Sequence, residues 1–187
     1  MNYQILVNKE NKIPDDFKVD LKEAFSRYKP GILVEKETLN HFRMMQEEAL
    51  KSEYIIDIES GFRTHQYQQM LVDNLIKEKG VEYANKYIAK PYHSEHETGL
   101  AIDICVYEDG KYLTEHELKH EDAVKWIHNN AYRFGFILRY PLCKENITGY
   151  NYEPWHLRYV GTSLAKHLYK NNLTLEEYYI ENKKEMY

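Results

Sequence analysis

Asp103 stands between Ile102 and Ile104 in the near-continuous apolar run 100–106. A carboxylate so placed must be paired, because an isolated buried charge costs several kcal/mol or neutralises itself. No arginine or lysine lies nearby in sequence to answer it. Upstream, His93-Ser94-Glu95-His96-Glu97-Thr98-Gly99 forms a polar, glycine-ended segment that delivers His96 shortly before the strand. A loop histidine followed by a strand aspartate can place two ligands on one cation. Strand alternation puts Ala101, Asp103 and Cys105 on one face, and the small Ala101 leaves room there. This segment alone leaves an alternative open, a buried aspartate held by backbone amides beside a solvated histidine.

A second segment, Tyr152-Glu153-Pro154-Trp155-His156-Leu157-Arg158-Tyr159, supplies the matching half. Pro154 pushes Glu153 out of the α region, so Glu153 and His156 do not share a helix face. They can still converge, with His156 on the metal and Glu153 beside the reacting water. Two histidines and one aspartate leave a tetrahedral zinc with its fourth position open, the catalytic pattern, and a free glutamate is then the natural general base. The alternative is a core segment rich in Tyr and Trp with one satisfied histidine.

The chain also contains a literal H-E-x-x-H, His116-Glu117-Leu118-Lys119-His120. A zincin needs it inside a helix with an apolar far face and a third ligand downstream. Here the flanks are hydrophilic and Glu121 and Asp122 stand too close, so the stretch reads as a solvated loop and helix entry. His93 reads as a rim residue, since a fourth protein ligand would close the open site. Cys105 reads as a small buried thiol, and Cys143 has no evident role.

Composition sets the frame. The 187 residues fit a single domain, 1–187. Lys and Arg number 25 against 30 Asp and Glu, a net charge of −5, which argues against nucleic acid as the main partner. A mean hydropathy of −0.73 and the lack of a long apolar run exclude a membrane-spanning helix. The first residues lack the basic-then-apolar layout of a secretory leader, and two cysteines make a poor disulfide scaffold, so a cytoplasmic protein is expected.

The elements that must position these residues follow from periodicity. Strands are expected at 3–7, 54–58, 100–106 and 136–139, and helices at 37–52, from Thr64 to about Lys79, at 81–89 and at 121–134. Thr162 and Thr174 read as N-caps of two terminal helices. Helices on a small, largely antiparallel sheet make an α+β domain.

Together, Ser94-Glu95-His96, Gly99-Leu100-Ala101-Ile102-Asp103 and Glu153-Pro154-Trp155-His156-Leu157-Arg158-Tyr159 resemble the VanY-type D-alanyl-D-alanine carboxypeptidases, zinc peptidases of the Hedgehog/DD-peptidase fold. Ser60-Gly61-Phe62-Arg63-Thr64 followed by Gln68 is similar to that family's Ser-Gly-Tyr-Arg-Ser…Gln element. The resemblance implies one zinc ion per chain on His96, Asp103 and His156, with Glu153 as base and later proton donor. It implies that Arg63 stabilises the oxyanion, that Gln68 and Ser94 contact substrate near its terminal carboxylate, and that Trp155 shapes the pocket. The implied substrates are D-Ala-D-Ala or peptidoglycan precursors ending in it. Within the family the chain resembles the leaderless bifunctional VanXY dipeptidase/carboxypeptidases of vancomycin resistance. An L,D-carboxypeptidase or other peptidoglycan peptidase on the same fold is the alternative, and a zinc-bearing binding domain without catalysis is another.

Overall fold

The computed structural model describes residues 2–118 and 122–184. A short antiparallel hairpin, β1 (Leu21–Glu23) and β2 (Leu33–Glu35), leads into α1 (Lys36–Leu50) and then β3 (Ile55–Ser60). Next come α2 (His65–Lys79), α3 (Val81–Tyr87), a 3-10 turn at Glu95–Thr98, and β4 (Ala101–Glu108). β5 (Lys111–Thr114), α4 (Asp122–Asn130), β6 (Phe136–Leu138), the single-turn α5 (Glu145–Thr148), β7 (His156–Tyr159), α6 (Thr162–Asn171) and α7 (Leu175–Lys184) complete the chain.

The main sheet runs β3-β4-β7-β6, with β5 added to β4, and every pairing is antiparallel. The α+β architecture with a small antiparallel sheet is the one expected. β4 is long enough to pair β7 along Ala101–Asp103 and β5 along Cys105–Glu108 on the same edge. Its even residues Ile102, Ile104 and Val106 point into the core, where Leu39, Phe42, Met45 and Ala49 of α1 pack on them. Those four recur at helical spacing, so one face of α1 is buried. The odd residues of β4 face the other way, which is how Asp103 reaches a cleft and not the core.

Helix ends follow local chemistry. Glu35 Oε2 caps α1 by accepting from Thr38 N at 2.8 Å, and Thr64 caps α2 by accepting from Tyr67 N. Thr174 caps α7, accepting from Glu177 N while its own N–H reaches Glu177 Oε2. Thr162 does not cap α6: it is the first helical residue, and Gly161 takes the cap position.

Other expectations need correction. Residues 3–7 form no strand; the carbonyls of Tyr3 and Ile5 accept from Arg158 Nη2, so they answer a buried guanidinium in place of a neighbouring strand. The helix expected at 81–89 stops at Tyr87, and Ala89 O is left to accept from Gln68 Nε2. The helix expected at 121–134 ends at Asn130 and continues as a 3-10 turn to Phe134. The β4–β5 hairpin was not anticipated, although Asp109-Gly110, both left-handed, is a strong hairpin signal.

Gly61 joins the hairpin to the main sheet. A Cβ there would lie 2.3 Å from Leu33 O, which already accepts from Phe62 N at 2.6 Å. Replacing Gly61 by Ala must push β2 away, and urea unfolding is expected to show a loss of about 1–3 kcal/mol. An unchanged midpoint would show that the backbone approach is not needed.

Candidate active site

Three neighbouring strands place the polar residues in one row. Asp103 on β4 is in register with Ser60 on β3, across a bulge, and with His156 on β7. His96 enters from the 3-10 turn that precedes β4. The chain makes a hydrogen-bonded turn from Glu153 to His156, with His156 N donating to Glu153 O, which brings the Glu153 carboxylate to 3.7 Å from His156 Nδ1. Pro154 was expected to keep this stretch extended and non-helical; Glu153 and His156 share no helix, but Pro154 and Trp155 form a turn that was not expected.

His96 Nε2 lies 3.1 Å from Asp103 Oδ2, and His156 Nδ1 lies 3.2 Å from Asp103 Oδ1. The two rings stand edge-on with centroids 5.0 Å apart. One ligand atom from each of His96, Asp103 and His156 lies within 4.8 Å of the other two, and all three residues are buried. Among the described residues this is the one such group of three or more metal-ligating side chains.

The donor set fits a cation. Gly61 O, 2.7 Å from His96 Nδ1, is an acceptor only, so Nδ1 carries the proton and Nε2 turns a lone pair toward Asp103. Asp103 Oδ1 is buried and satisfies no hydrogen bond. Burial, then the Arg63 charge, lowers the His96 pKa to about 4, which keeps the ring neutral as a ligand must be. Burial also opposes charge on His156, but the neighbouring Asp103 and Glu95 carboxylates outweigh it and raise its pKa to about 9. The carboxylates around that ring call for positive charge, which either a proton or a metal ion supplies. Burial likewise opposes the Asp103 anion, yet His96, His156 and Arg63 hold its pKa well below the usual carboxylate range.

Arg63 answers the charge for which no partner was visible in sequence. Its Nη2 donates to Asp103 Oδ2 at 2.7 Å, and Nε and Nη2 both reach Ser60 Oγ. Glu153 is buried, and burial followed by the Asp103 charge pushes its pKa up to about 8.

A cleft of about 420 Å³ opens over this group, and Arg63, Gln68, Ser94, Glu153 and Trp155 line it together with the three candidate ligands. Gln68 is fully buried; Nε2 donates to Ala89 O, so Oε1, which has no partner, is an acceptor. Ser94 is buried, with its N–H donating to Glu97 Oε1. Trp155 is shared between the core and the cleft wall.

Other sequence candidates lie apart. His93 Nδ1 bonds Asn8 O and stands outside the metal-ligating group. Cys105 is buried, and burial pushes its thiol pKa up; it and Cys143 are free thiols. Within the H-E-x-x-H stretch, Glu115–Glu117 is a 3-10 turn following β5, while Lys119 and His120 lie outside the described residues.

Sequence reasoning missed three groups that buttress the site. Glu95, Arg139 and Arg158 form a buried cluster behind His156. Tyr140 packs its ring 4.9 Å from that of His156. His128 on α4 donates from Nε2 to Pro154 O at 2.9 Å, pinning the Glu153–His156 turn. Glu95 and Arg158 fell within the motifs quoted above and Arg139 within an expected strand, but no local pattern showed which partner each meets.

Residues 31–162 match the VanY D-alanyl-D-alanine carboxypeptidase family, and the chain belongs to it. Its relatives include YodJ of Bacillus subtilis (strain 168), 40% identical over 98% of this chain and 69% of that protein. A D-alanyl-D-alanine carboxypeptidase of Enterococcus faecalis (strain ATCC 700802 / V583) is 37% identical over 93% of this chain and 64% of its own length. The chain thus spans about two thirds of each. Among solved structures, a VanXYg D,D-dipeptidase in complex with a D-Ala-D-Ala phosphinate analogue superposes with a TM-score of 0.85 at 33% identity, over 95% of this chain and 70% of that one. The LdcB LD-carboxypeptidase gives 0.83 at 39%, over 93% and 84%. A variant of the D,D-pentapeptidase VanY from a VanB-type resistance cassette, in complex with Zn(II), gives 0.82 at 35%, over 95% and 99%. The fold is therefore that of the Hedgehog/DD-peptidase class, and the chain is a carboxypeptidase of that family.

Burial holds the His128 pKa below the ordinary imidazole value, although its bond to Pro154 O works the other way. The unfolded chain binds that proton more readily, so the stabilisation is complete above about pH 6.5 and is lost as pH falls toward the folded pKa. Urea midpoints are expected to drop more steeply in the parent protein than in His128→Gln between about pH 7.5 and pH 5. Parallel curves would remove His128 as the source.

Proposed function

We propose that this chain is a zinc-dependent D,D-peptidase that removes the terminal D-Ala of peptidoglycan precursors and cleaves the D-Ala-D-Ala dipeptide. The observation that carries the reading is the His96, Asp103 and His156 group, with Glu153 and Arg63 on the same cleft. Zinc held by those three side chains would supply Lewis acidity toward a water and the scissile carbonyl.

This chain's own residues account for the rest. Glu153, with its pKa raised by burial, accepts the proton of the attacking water and hands it to the departing amine. Arg63, oriented by Ser60 and Asp103, offers its remaining donors to the negative charge that develops on the carbonyl oxygen. Gln68 presents an acceptor, so in this reading it meets a substrate N–H and not the carboxylate. Ser94 remains the candidate for the carboxylate, and Trp155 walls the pocket.

An L,D-carboxypeptidase is the second reading, favoured by the 39% identity to LdcB. The substrate decides between them: release of D-Ala from D-Ala-D-Ala and from muramyl pentapeptide supports D,D cleavage, while release from the tetrapeptide alone supports the L,D reading. No release from any of them by zinc-loaded protein would leave a non-catalytic zinc domain. A cytoplasmic setting is supported by the two free thiols, and a contribution to vancomycin resistance is tested by expressing the gene in a susceptible host.

Glu153→Ala is expected to retain one zinc per chain and lose turnover about 10²–10⁴-fold. Arg63→Ala is expected to lose about 10²–10³-fold in kcat. His116→Ala should leave both zinc content and rate unchanged; loss of activity there with His96→Ala still active would reverse the assignment.

A further inference from the structure

Behind His156 lies a charge cluster that the proposed chemistry does not use. The side chains of Glu95, Arg139 and Arg158 are all 0% exposed. Glu95 Oε1 accepts from Arg139 Nε and from Arg158 Nη1, both at 2.7 Å. Arg139 turns its other two nitrogens to Glu176 on α7, at 2.9 and 2.6 Å, and Glu176 Oε1 also accepts from Asn8 Nδ2. Arg158 spends its remaining donors on the carbonyls of Tyr3, Ile5 and Tyr159. Two arginines against two glutamates leave the cluster formally neutral, so it does not need His156 as a cation to be balanced.

The two oxygens of Glu95 are therefore unequal. Oε1 is held by two guanidinium groups, which fixes the carboxylate plane. Oε2 is buried, satisfies no hydrogen bond, and lies 3.5 Å from His156 Nε2. That nitrogen is the one opposite Nδ1, which faces Asp103 and Glu153. A carboxylate on the far nitrogen of a ligating imidazole fixes its tautomer and ring plane and raises its basicity. A guanidinium suits the clamp better than an ammonium, because its planar fork grips several acceptors at once.

We propose that Glu95 is a positioning residue: clamped by Arg139 and Arg158, it holds the proton of His156 on Nε2 and turns the Nδ1 lone pair into the site. This rests on the metal reading above. It also ties the zinc ligand to α7 through Glu176 and to the N-terminal segment through Arg158.

The test uses two measurements on the full chain. In zinc-loaded parent protein labelled with ¹⁵N-histidine, long-range proton–nitrogen correlations are expected to show His156 protonated at Nε2. Competition with a chelator is expected to show that Glu95→Gln binds zinc about 10–100-fold more weakly than the parent. The urea midpoint of the metal-free variant separates a general loss of folding from this effect, and the tautomer measurement stands even where the variant does not fold. Protonation of His156 at Nδ1 in the loaded parent, or unchanged zinc affinity in folded Glu95→Gln, overturns the proposal while leaving the metal site intact. A parent protein that binds no zinc overturns the metal reading and this proposal together.

Discussion

Asp103 keeps its charge inside β4, where both sequence neighbours are core isoleucines, and the protein meets that cost with groups gathered from distant segments. Arg63 comes from the loop after β3, His96 from the turn before β4, and His156 from the start of β7. None of these is adjacent in sequence, so the carboxylate is satisfied only when the β3-β4-β7 register is correct. A one-residue slip of β4 would turn Asp103 into the core and Ile102 or Ile104 into the cleft. Fold and site thus specify one another: the site is the polar face of the sheet's central strand.

A second buried carboxylate, Glu95, supports the first from behind. Breaking a buried ion pair by removing one partner typically costs about 3–5 kcal/mol, because the survivor is left unpaired. Here the pairs are chained, Glu176 to Arg139 to Glu95 to Arg158, and the chain ends on backbone carbonyls of the N-terminal segment. Such a network is a poor source of net stability compared with apolar packing. What it provides is direction, since fork-shaped donors fix the plane of each acceptor. That explains why 3–7 has strand composition but no strand: its carbonyls are needed by Arg158.

The elements with strong periodicity were legible in the sequence. α1 shows its buried face at Leu39, Phe42, Met45 and Ala49, and α2 has Thr64 and Gly80 at its ends. The candidate ligands were legible too, because Asp103 is out of place in an apolar strand and His96 and His156 sit in ordered motifs. Hidden from view were the contacts between residues far apart in the chain, such as Arg63 with Asp103, Glu95 with Arg139, and His128 with Pro154. Sequence pattern reports which face of an element is apolar; it does not report which polar group lies across the fold. The orientation of Gln68 belongs to the same class, since its Nε2 donates to Ala89 O, a partner no local pattern reveals.

The placement of Glu153 shows how these two layers meet. A carboxylate this deeply buried is pushed toward neutrality by desolvation, and a nearby Asp103 anion pushes it further in the same direction. Asp103 escapes the same fate because His96, His156 and Arg63 surround it, whereas the charges of His156, at 3.7 Å, and Arg63 do not offset burial at Glu153. Two carboxylates within one site are thereby driven apart in proton affinity, one held as an anion, the other with its pKa raised to about 8. The turn beginning at Glu153 maintains that difference. Its backbone is tied at Tyr140 O and at His128, which fixes where the Glu153 side chain starts. Division of labour between the acids follows from which backbone segment carries each, one a central strand and the other a tethered turn.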